Sequence, residues 1–477
     1  MRSEKEPNRV TAVVELIKQQ VSQRVWLPGE RIPSIRKMSK LQSISPMTVM
    51  KAYEQLELDG WIYAKPQSGY YVSAHFNQLK DMPSLQPQIV NQSIRINRHV
   101  FDVMKAIKQP DVIPFGSAFP DPSLFPQSTL GRLLSRVVKT MPSHSGITDL
   151  SPGCLTLRRA ISQRYAKVGV AVGAEQIVVT SGATEALGLG LSAVTQPGDM
   201  VAVESPVFYG ALQAIERLHL KVVEIPACPR QGINIEALAS CIERYPIKAC
   251  WLMSNFQNPT GASLSPNRQR ALYELLATRN IAMIEDDVYG ELYYGPDKPV
   301  SLKSIDSEGM VIHCSSFSKS LAPGFRVGWT LAGRFTQQVA ELQFMSTLSA
   351  PVPNQHAIAS YIKGGGYDGH LRQLRRTLEA RQRQMREAIL CLFPSGTKVT
   401  IPSGGYFLWV VLPFDIDSAA LLFILLERYR ISIAPGTLFS SDSQYRHCMR
   451  FNCSYPLTPE YYEALRCIAQ QVSTNSH

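Results

Sequence analysis

The feature of this 477-residue chain that most constrains its fold is a series of short apolar segments after Asp111, each followed by a helix-length stretch. Such alternation is typical of a largely parallel β-sheet covered by helices, so this part is predicted to be α/β. Ligands of open α/β sheets bind at the carboxyl ends of the strands, and chemistry is expected there. The segments, in order, are QIVVTSG, MVAVES, KVVEIP, KACWLMSN, IAMIEDD, MVIHCSS and VGWTLAG.

The N-terminal part, residues 1–75, has a different organisation, in which three helices precede a hairpin. Apolar residues recur at helical spacing from Val10 to Val21 and predict a first helix. Ser34 is placed to cap a short second helix, and a third helix is expected from Pro46 to about Leu58. The stretch WIYAKPQSGYYVS alternates and contains a Pro- and Gly-bearing turn, which predicts a two-stranded wing.

Positive charge is concentrated in this N-terminal part. The whole chain has 49 Lys and Arg against 38 Asp and Glu, and residues 1–75 hold 11 of the basic and 7 of the acidic residues. Per residue, this segment is about three times as basic as the remainder. The excess favours an anionic partner, and charge alone does not distinguish a nucleic acid from a phosphorylated ligand.

The remaining composition indicates a reduced compartment and a linker. The nine cysteines include no Cys-x-x-Cys pair, the N-terminus lacks an apolar signal segment, and no apolar run approaches the roughly 20 residues that span a bilayer. A cytoplasmic protein without a membrane partner is therefore expected. Residues 76–110 are rich in Gln, Asn, Ser and Pro, which predicts a linker with some helix near its end.

Two strand ends in the long C-terminal part carry residues suited to a small ligand. The strand QIVVT leads through Ser181-Gly182-Ala183-Thr184 into a helix, whose N-terminal N–H groups are able to hold a phosphate. Small residues also precede helices that bind nothing. The strand CWLM leads to Asn258-Pro259, a pair that more often forms only a turn. Neither motif alone establishes a site.

Two further strand ends carry ionisable groups. Asp286, Asp287 and Tyr289 follow the strand IAMIE, but no His, Cys or Asp cluster at ligand spacing accompanies them, so no metal site is predicted. Lys319 follows the strand MVIHCSS in a Ser- and Gly-containing loop, with Arg326 seven residues later. Most lone lysines are solvated surface charges. A lysine beside other cations or shielded from water is able to form a Schiff base with an aldehyde.

The order of motifs TSGATEAL, QNPTG, EDDVYG, SFSKSLAPGFRVGW and MRFNCS resembles that of the fold-type I pyridoxal-phosphate aminotransferases across residues 111–477. This resemblance implies a mostly parallel sheet with a smaller C-terminal α+β subdomain. It implies that Lys319 is the catalytic lysine and carries the Schiff base, and that Asp286 pairs with the pyridine nitrogen. By the same resemblance, Asn258 and Tyr289 hydrogen-bond to the ring oxygen, and Phe208 stacks on the ring.

The resemblance also implies a phosphate site and a carboxylate site. Arg450 matches the arginine that clamps the α-carboxylate of a substrate or effector. One position departs from the family, because Thr148 stands where a tyrosine commonly reaches the partner subunit's cofactor, and transamination is therefore less firmly implied than cofactor binding. The phosphate would be held by Ala183, Thr184, Ser316, Ser318 and Arg326.

Residues 1–75 resemble the winged helix-turn-helix of the GntR regulators, and the combination of the two parts resembles the MocR subfamily. The resemblance implies that the third helix enters the major groove of DNA and that the wing approaches the minor groove. GntR domains often have arginines where this chain has Pro46 and Met50, so base recognition is expected to use other groups. The implied DNA-binding residues are Arg36, Ser45, Met47, Thr48, Lys51, Lys65, Ser68 and Gly69. A protein-binding winged helix is the alternative.

Together these observations predict a DNA-binding domain at 1–75, a linker at 76–110 and a pyridoxal-phosphate-binding effector domain at 111–477. The expected function is a homodimeric transcriptional regulator that binds operator half-sites and senses an amine or amino acid. The alternative is an active aminotransferase that carries a DNA-binding domain, and a third hypothesis is a binding module without cofactor.

Overall fold

The computed structural model describes residues 9–23, 25–27, 29–58, 61–65, 69–72, 88–90, 100–101, 105, 111–413, 416–442 and 444–474. The chain divides into two compact units, Met1–Met82 and Pro83–His477. The domain limits expected at residues 75 and 110 stay predictions. In the described part of the chain, no helix combines the length and the apolar character that crossing a membrane requires.

The N-terminal unit has the three helices and the hairpin that the sequence predicts. Its two strands pair antiparallel, with Ile62 opposite Val72 and Lys65 opposite Gly69. The elements are α1 (Arg9–Ser22), α2 (Ile35–Gln42), α3 (Pro46–Leu58), β1 (Ile62–Lys65) and β2 (Gly69–Val72).

Local capping and one shared core explain why these segments are helical. The Ser34 hydroxyl accepts a hydrogen bond from the Lys37 N–H at 3.3 Å and caps α2, as predicted. On α3, Val49, Tyr53 and Leu56 are fully buried, and they pack with apolar residues of α1, α2 and the hairpin. The helix-turn-helix is thus held together by the side of α3 that faces inward.

The C-terminal unit is built on one large sheet, a second four-stranded sheet and a two-stranded pair. The large sheet has the order β3-β7-β6-β9-β10-β11-β12-β5, with β8 paired to β7. The strands of this unit are β3 (Gln88–Val90), β4 (Ile113–Pro114), β5 (Ile177–Thr180), β6 (Met200–Ser205), β7 (Lys221–Cys228), β8 (Gly232–Ile233), β9 (Ile247–Leu252), β10 (Ala282–Asp286), β11 (Val311–Ser316), β12 (Gly328–Leu331), β13 (Lys398–Val399), β14 (Phe407–Val411), β15 (Ile431–Ser432), β16 (Ala434–Pro435) and β17 (Cys448–Asn452).

The prediction of a largely parallel sheet is confirmed for β6, β7, β9, β10 and β11. Strand β12 instead runs antiparallel to both of its neighbours, β11 and β5. The connection 317–327 contains no α-helix, the element that usually carries a parallel crossover. Strand β3 also pairs antiparallel with β7, so the sheet extends into the segment that was expected to be a linker.

Helices cover this sheet and build the smaller subdomain. Helix α7 packs against β10, β11 and β12. The sheet β13-β14-β17-β16 is antiparallel and, with the helices around it, gives the expected C-terminal α+β subdomain. The helices are α4 (Gln127–Thr140), α5 (Ser145–Thr148), α6 (Leu155–Ala166), α7 (Ala183–Val194), α8 (Tyr209–Arg217), α9 (Ile235–Arg244), α10 (Pro266–Thr278), α11 (Thr336–Ser346), α12 (Val352–Lys363), α13 (Gly366–Leu392), α14 (Ser418–Tyr429) and α15 (Pro459–Thr474).

The segment that follows residue 110 is attached to the C-terminal subdomain. Strand β4 pairs in parallel with β15, and the Arg430 guanidinium contacts both carboxylate oxygens of Asp111 at 2.5 and 2.8 Å. The next residues, Phe115–Phe119, run beside β17, where the Asn452 N–H donates to the Phe115 carbonyl at 2.7 Å. This pairing directs Phe115–Phe119 to the ends of the large-sheet strands.

Candidate functional site

The carboxyl ends of the large-sheet strands border a cavity of about 770 Å³, within the range of about 300 to 1,000 Å³ that small-molecule sites occupy. Sequence reasoning placed the candidate cofactor residues on different strand ends, and the structure brings all of them to this one cavity. They are Ala183, Thr184, Phe208, Asn258, Asp286, Tyr289, Ser316, Ser318, Lys319 and Arg326.

One end of the cavity is formed by the start of α7. Gly182 precedes this helix with φ +92° and ψ 172°, a backbone conformation that glycine alone adopts readily. The Arg326 guanidinium fills the space above it, since a Cβ on Gly182 would lie 2.5 Å from Nη2. Arg326 also donates to the Ser181 carbonyl at 3.2 Å and to the Ser318 hydroxyl at 3.4 Å. Helix N–H groups, hydroxyls and a guanidinium together suit a phosphate.

Lys319 lies in the 317–327 connection and lines the cavity. Its Nζ donates to the Ala118 carbonyl at 2.8 Å and lies 4.6 Å from the centre of the Phe119 ring. Burial, together with the positive charges of Arg450 and Arg326, lowers the pKa of Lys319 to about 7 against the opposing effect of Asp286. A large fraction of the amine is therefore neutral near pH 7, the form that attacks a carbonyl carbon.

Asp286 ends β10 and is 1% exposed. Its Oδ1 has no hydrogen-bond partner among the residues that the structure describes. Burial, together with the charge of the neighbouring Asp287, raises the pKa of this carboxyl to about 7 against the opposing effects of a backbone hydrogen bond and Lys319. Asp286 lines the cavity, whereas Asp287 faces His313, whose Nε2 lies 3.7 Å from Asp287 Oδ2. A buried acceptor without a donor suits a protonated ring nitrogen.

Asn258 and Tyr289 line the cavity, and Arg450 lies behind them, bonded to Asn258 but not itself among the lining residues. Asn258 Nδ2 donates to the Tyr289 hydroxyl at 3.4 Å, and Arg450 Nη1 donates to Asn258 Oδ1 at 3.0 Å. Arg450 is fully buried, and its other terminal nitrogen donates to the Gly116 carbonyl at 2.8 Å. Within the described residues, no carboxylate pairs with Arg450 and its Nε has no partner. A buried, uncompensated guanidinium suits a carboxylate ligand.

Phe208 lies directly before α8 and also lines the cavity, where it is partly buried. Its ring contacts that of Tyr209 at a centroid distance of 4.7 Å. Gly210 makes this placement feasible, since a Cβ at that position would lie 2.4 Å from the Phe208 ring. The face of an aromatic ring is thus presented at the edge of the polar site.

Sequence reasoning missed several cavity residues. Ala118 and Phe119 come from the segment after β4, and no periodicity or strand-end signal marks them. Tyr209 and Arg217 also line the cavity from α8, the helix that follows Phe208. On this helix Gly210, Gln213 and Arg217 recur at helical spacing, and that repeat is the signal that was overlooked. Tyr406 donates to the Ala118 carbonyl at 3.0 Å and packs edge-on against Tyr289.

Thr148 ends α5, is exposed, and does not line the cavity of its own chain. Beside it, one group of metal-ligand types occurs in the described residues, namely Asp149, Cys154 and His356. The His356 ring already contacts the two others through opposite nitrogens, with Nε2 2.7 Å from Asp149 and Nδ1 3.9 Å from the Cys154 sulfur. We assign no metal to this group, because one ion binds only one nitrogen of a ring.

The N-terminal unit places a set of cationic and polar groups on its surface. Arg36, Ser45, Lys51 and Met47, the last 58% exposed, face solvent, while Thr48 is half-buried and shares a 2.8 Å hydrogen bond with Ser45. In the described part of this unit, no carboxylate forms an ion pair with Arg36 or Lys51.

The wing carries the remaining predicted DNA contacts. Lys65 ends β1 and Gly69 begins β2 with φ +113°, whereas Ser68 lies outside the described residues. The Arg31 guanidinium lies beside the wing, since a Cβ on Gly69 would be 3.1 Å from Arg31 Nε. Arg31 is exposed and is a basic residue of this surface that sequence reasoning did not select.

Comparison with known proteins agrees with this architecture. Residues 9–72 match the family of bacterial regulatory proteins, gntR family, and residues 142–465 match the family of aminotransferase class I and II. The chain is 45% identical to the HTH-type transcriptional regulator YdcR of Escherichia coli, over 93% of this chain and 94% of that protein. It is 36% identical to YjiR of the same organism, over 97% and 98% of the two chains.

The fold of the C-terminal unit also occurs in solved aminotransferases. The kynurenine aminotransferase of Pyrococcus horikoshii, solved with PMP, has a TM-score of 0.72 and 28% identity over 79% of this chain and 94% of its own. These findings define the class as DNA-binding regulators with an aminotransferase-type unit of fold type I. The chain belongs to the GntR-family transcriptional regulators of the MocR architecture. Its fold family implies pyridoxal phosphate as the cofactor.

Proposed function

We propose that this regulator binds pyridoxal phosphate covalently at Lys319 and uses the C-terminal unit to sense an amino compound. The observation that carries the proposal is that Asp286, whose buried Oδ1 has no hydrogen-bond partner in the described part of the chain, lines the same cavity as Lys319. A satisfied protein interior leaves few such acceptors. Pyridoxal phosphate supplies a protonated ring nitrogen for this acceptor and an aldehyde carbon that exchanges between amines.

Each end of the cavity has a defined role in this proposal. The N–H groups of Ala183 and Thr184 bind the phosphate together with Ser316, Ser318 and Arg326. Asn258 and Tyr289 orient the ring oxygen, and Phe208 covers one ring face. Lys319 holds the cofactor when no amine is bound, and its lowered pKa keeps the amine reactive.

The sensed compound is proposed to carry a carboxylate. Arg450 is fully buried behind Asn258, and no described carboxylate pairs with it. A carboxylate that displaces its hydrogen bonds to Asn258 and Gly116 would gain a bidentate partner there. Binding regulates transcription if the compound stabilises one arrangement of the protein over another, because a ligand shifts an equilibrium only through its differential affinity.

The N-terminal unit is proposed to read DNA with α3 in the major groove and the wing at the minor groove. Two such units in a homodimer match paired half-sites, and aminotransferase sites of this fold are shared across a dimer. The proposed domain limits are 1–75 and 111–477, and the proposed location is the cytoplasm.

Reductive trapping tests the cofactor proposal. The full-length protein is loaded with pyridoxal phosphate, reduced with borohydride and digested, and the peptides are analysed by mass. A pyridoxyl adduct is expected on Lys319 and is expected to vanish in Lys319→Arg but persist in Lys363→Arg, a variant of an exposed lysine. Absence of an adduct on Lys319 in the unmodified chain would refute the proposal.

Salt-dependent binding tests the DNA face. Arg36→Ala and Lys51→Ala are expected to weaken operator binding, and each lowers the slope of log affinity against log salt by about 1 if the residue contacts a phosphate. Arg9→Ala, which removes an exposed cation from α1, serves as the matched control. Unchanged affinity and slope in both test variants would contradict the assignment of this face.

An active aminotransferase is the second candidate, and the presence of Lys319, Asp286 and Arg450 around one site favours it. The relatives YdcR and YjiR are named HTH-type transcriptional regulators, and this favours a regulator that senses an amino compound over an enzyme. Steady-state turnover of an amino acid with a keto acid, combined with no sequence-selective DNA binding, would establish the enzyme and overturn the regulator.

A further inference from the structure

We propose that Phe119 selects the side chain of the sensed amino compound and favours an apolar or aromatic one. This inference rests on the proposed function, because it concerns the compound that takes the place of the Lys319 amine. Phe119 lines the cavity and is 45% exposed, so its ring is accessible to a molecule in the cavity.

The backbone at Phe119 is fixed although the ring is exposed. The Ser117 hydroxyl accepts a hydrogen bond from the Phe119 N–H at 3.0 Å. The side-chain amide of Asn452, which is fully buried, donates to the carbonyls of Ser117 and Phe119 at 3.0 and 2.7 Å. These hydrogen bonds fix the backbone that carries the ring. Ordering of the ring when a ligand binds therefore costs little conformational entropy.

The ring lies next to the reactive amine. Lys319 Nζ is 4.6 Å from the centroid of the Phe119 ring and 2.8 Å from the adjoining Ala118 carbonyl. A compound that takes the place of this amine brings its own substituent to the same ring. Aromatic and aliphatic groups gain packing energy against an aromatic face, whereas a carboxylate there loses hydration and meets the negative face of the ring.

The charges around the cavity also favour a compound with an apolar side chain. Among the described residues that line it, the cations other than Lys319 are Arg326 and Arg217. Arg326 contacts Ser181 and Ser318 at the start of α7. Arg217 lies over α7, where a Cβ on Gly188 would be 2.8 Å from its Nη2. The contacts of both arginines lie at α7 rather than at Phe119, and Arg450 is proposed to bind the α-carboxylate, so a second, side-chain carboxylate is expected to gain no ion pair beside the ring.

Binding of a matched set of amino acids tests this inference. The probes are L-phenylalanine, L-leucine, L-alanine and L-aspartate, titrated into the full-length protein loaded with pyridoxal phosphate and followed by absorbance. We expect L-phenylalanine and L-leucine to bind at least about tenfold more tightly than L-aspartate. Phe119→Ala is expected to weaken these two by about tenfold and to leave L-alanine within about twofold.

Two control variants separate side-chain selection from a general defect. Phe119→Leu is expected to retain the binding of L-leucine, because an apolar wall remains. Phe423→Ala removes a ring that is 54% exposed on α14 and is expected to change nothing. The affinity for pyridoxal phosphate is measured in parallel and is expected to be equal in all variants.

The failures of the two proposals differ. If no adduct forms on Lys319, both the proposed function and this inference are overturned. If the adduct forms and Phe119→Ala weakens all four amino acids equally, or if L-aspartate binds most tightly, the inference alone is overturned. A loss of cofactor affinity in Phe119→Ala also overturns it, since the ring then supports the cofactor rather than the side chain.

Discussion

Replacement of Gly182 by alanine offers a sharp test of the phosphate end of the cavity. Gly182 has φ +92° and ψ 172°, and a non-glycine residue in this region costs about 1 to 3 kcal/mol. The new Cβ would lie 2.5 Å from Arg326 Nη2, against 3.4 Å for an ordinary contact, so the guanidinium must move by about 0.9 Å. After this displacement the guanidinium is expected to lose its charge-assisted hydrogen bond to the phosphate, a bond worth about 1.5 to 3 kcal/mol.

The loss of that bond corresponds to a decrease in affinity for pyridoxal phosphate of about 10- to 150-fold, at about 1.4 kcal/mol per tenfold change. The assay is a titration of the cofactor-free protein with pyridoxal phosphate, repeated with pyridoxal, which lacks the phosphate. Affinity for pyridoxal is expected to change little in Gly182→Ala, because the ring and Lys319 are untouched.

Gly198→Ala is the matched control for backbone strain. Gly198 has φ +94°, close to that of Gly182, but a Cβ there would meet no atom within 4 Å. Its substitution is expected to lower stability without a change in cofactor affinity. Equal affinities for pyridoxal phosphate in Gly182→Ala and the unmodified protein would refute the phosphate assignment, and so would an equal loss for pyridoxal.

Further predictions concern the lysine amine and the helix-turn-helix. In the cofactor-free protein, acylation of Lys319 followed by peptide mass analysis is expected to rise with pH around a midpoint near its pKa of about 7. Arg450→Met is expected to move this midpoint upward, because it removes a positive charge that lowers the pKa, and Asp286→Asn is expected to move it downward. A midpoint that stays fixed in both variants would contradict the electrostatic argument. Tyr53→Phe removes a buried 2.7 Å hydrogen bond to the Pro33 carbonyl, and urea unfolding of the N-terminal unit is expected to show a loss of about 1 kcal/mol.

The sequence predicts much of the site because the carboxyl ends of neighbouring parallel strands meet at one edge. The positions of Asn258, Asp286 and Lys319 follow once three buried strands are recognised, and all three line one cavity. The choice of Asp286 over Asp287 depended on the resemblance. The structure adds a physical reason, because successive residues of a strand point to opposite faces and Asp287 faces His313.

The remainder of the site depends on contacts that local patterns do not encode. Phe119 lies far before Thr180, the first strand end of the site along the chain, and its position follows from the pairing of β4 with β15. The antiparallel direction of β12 is likewise not encoded in its apolar pattern, which resembles that of the parallel strands. Long-range pairings of this kind are set by tertiary packing and leave no periodic signal.

The pairing of β4 with β15 also has a consequence for synthesis of the chain. The described elements of the N-terminal unit end at Val72, so all their partners are present early. Strand β4 ends at Pro114, and its partner β15, which begins at Ile431, is synthesised much later. At translation rates of about 5 to 20 residues per second, the intervening stretch of roughly 320 residues takes about 15 to 65 s. During that interval the ribosome carries a DNA-reading unit whose proposed sensor is still incomplete.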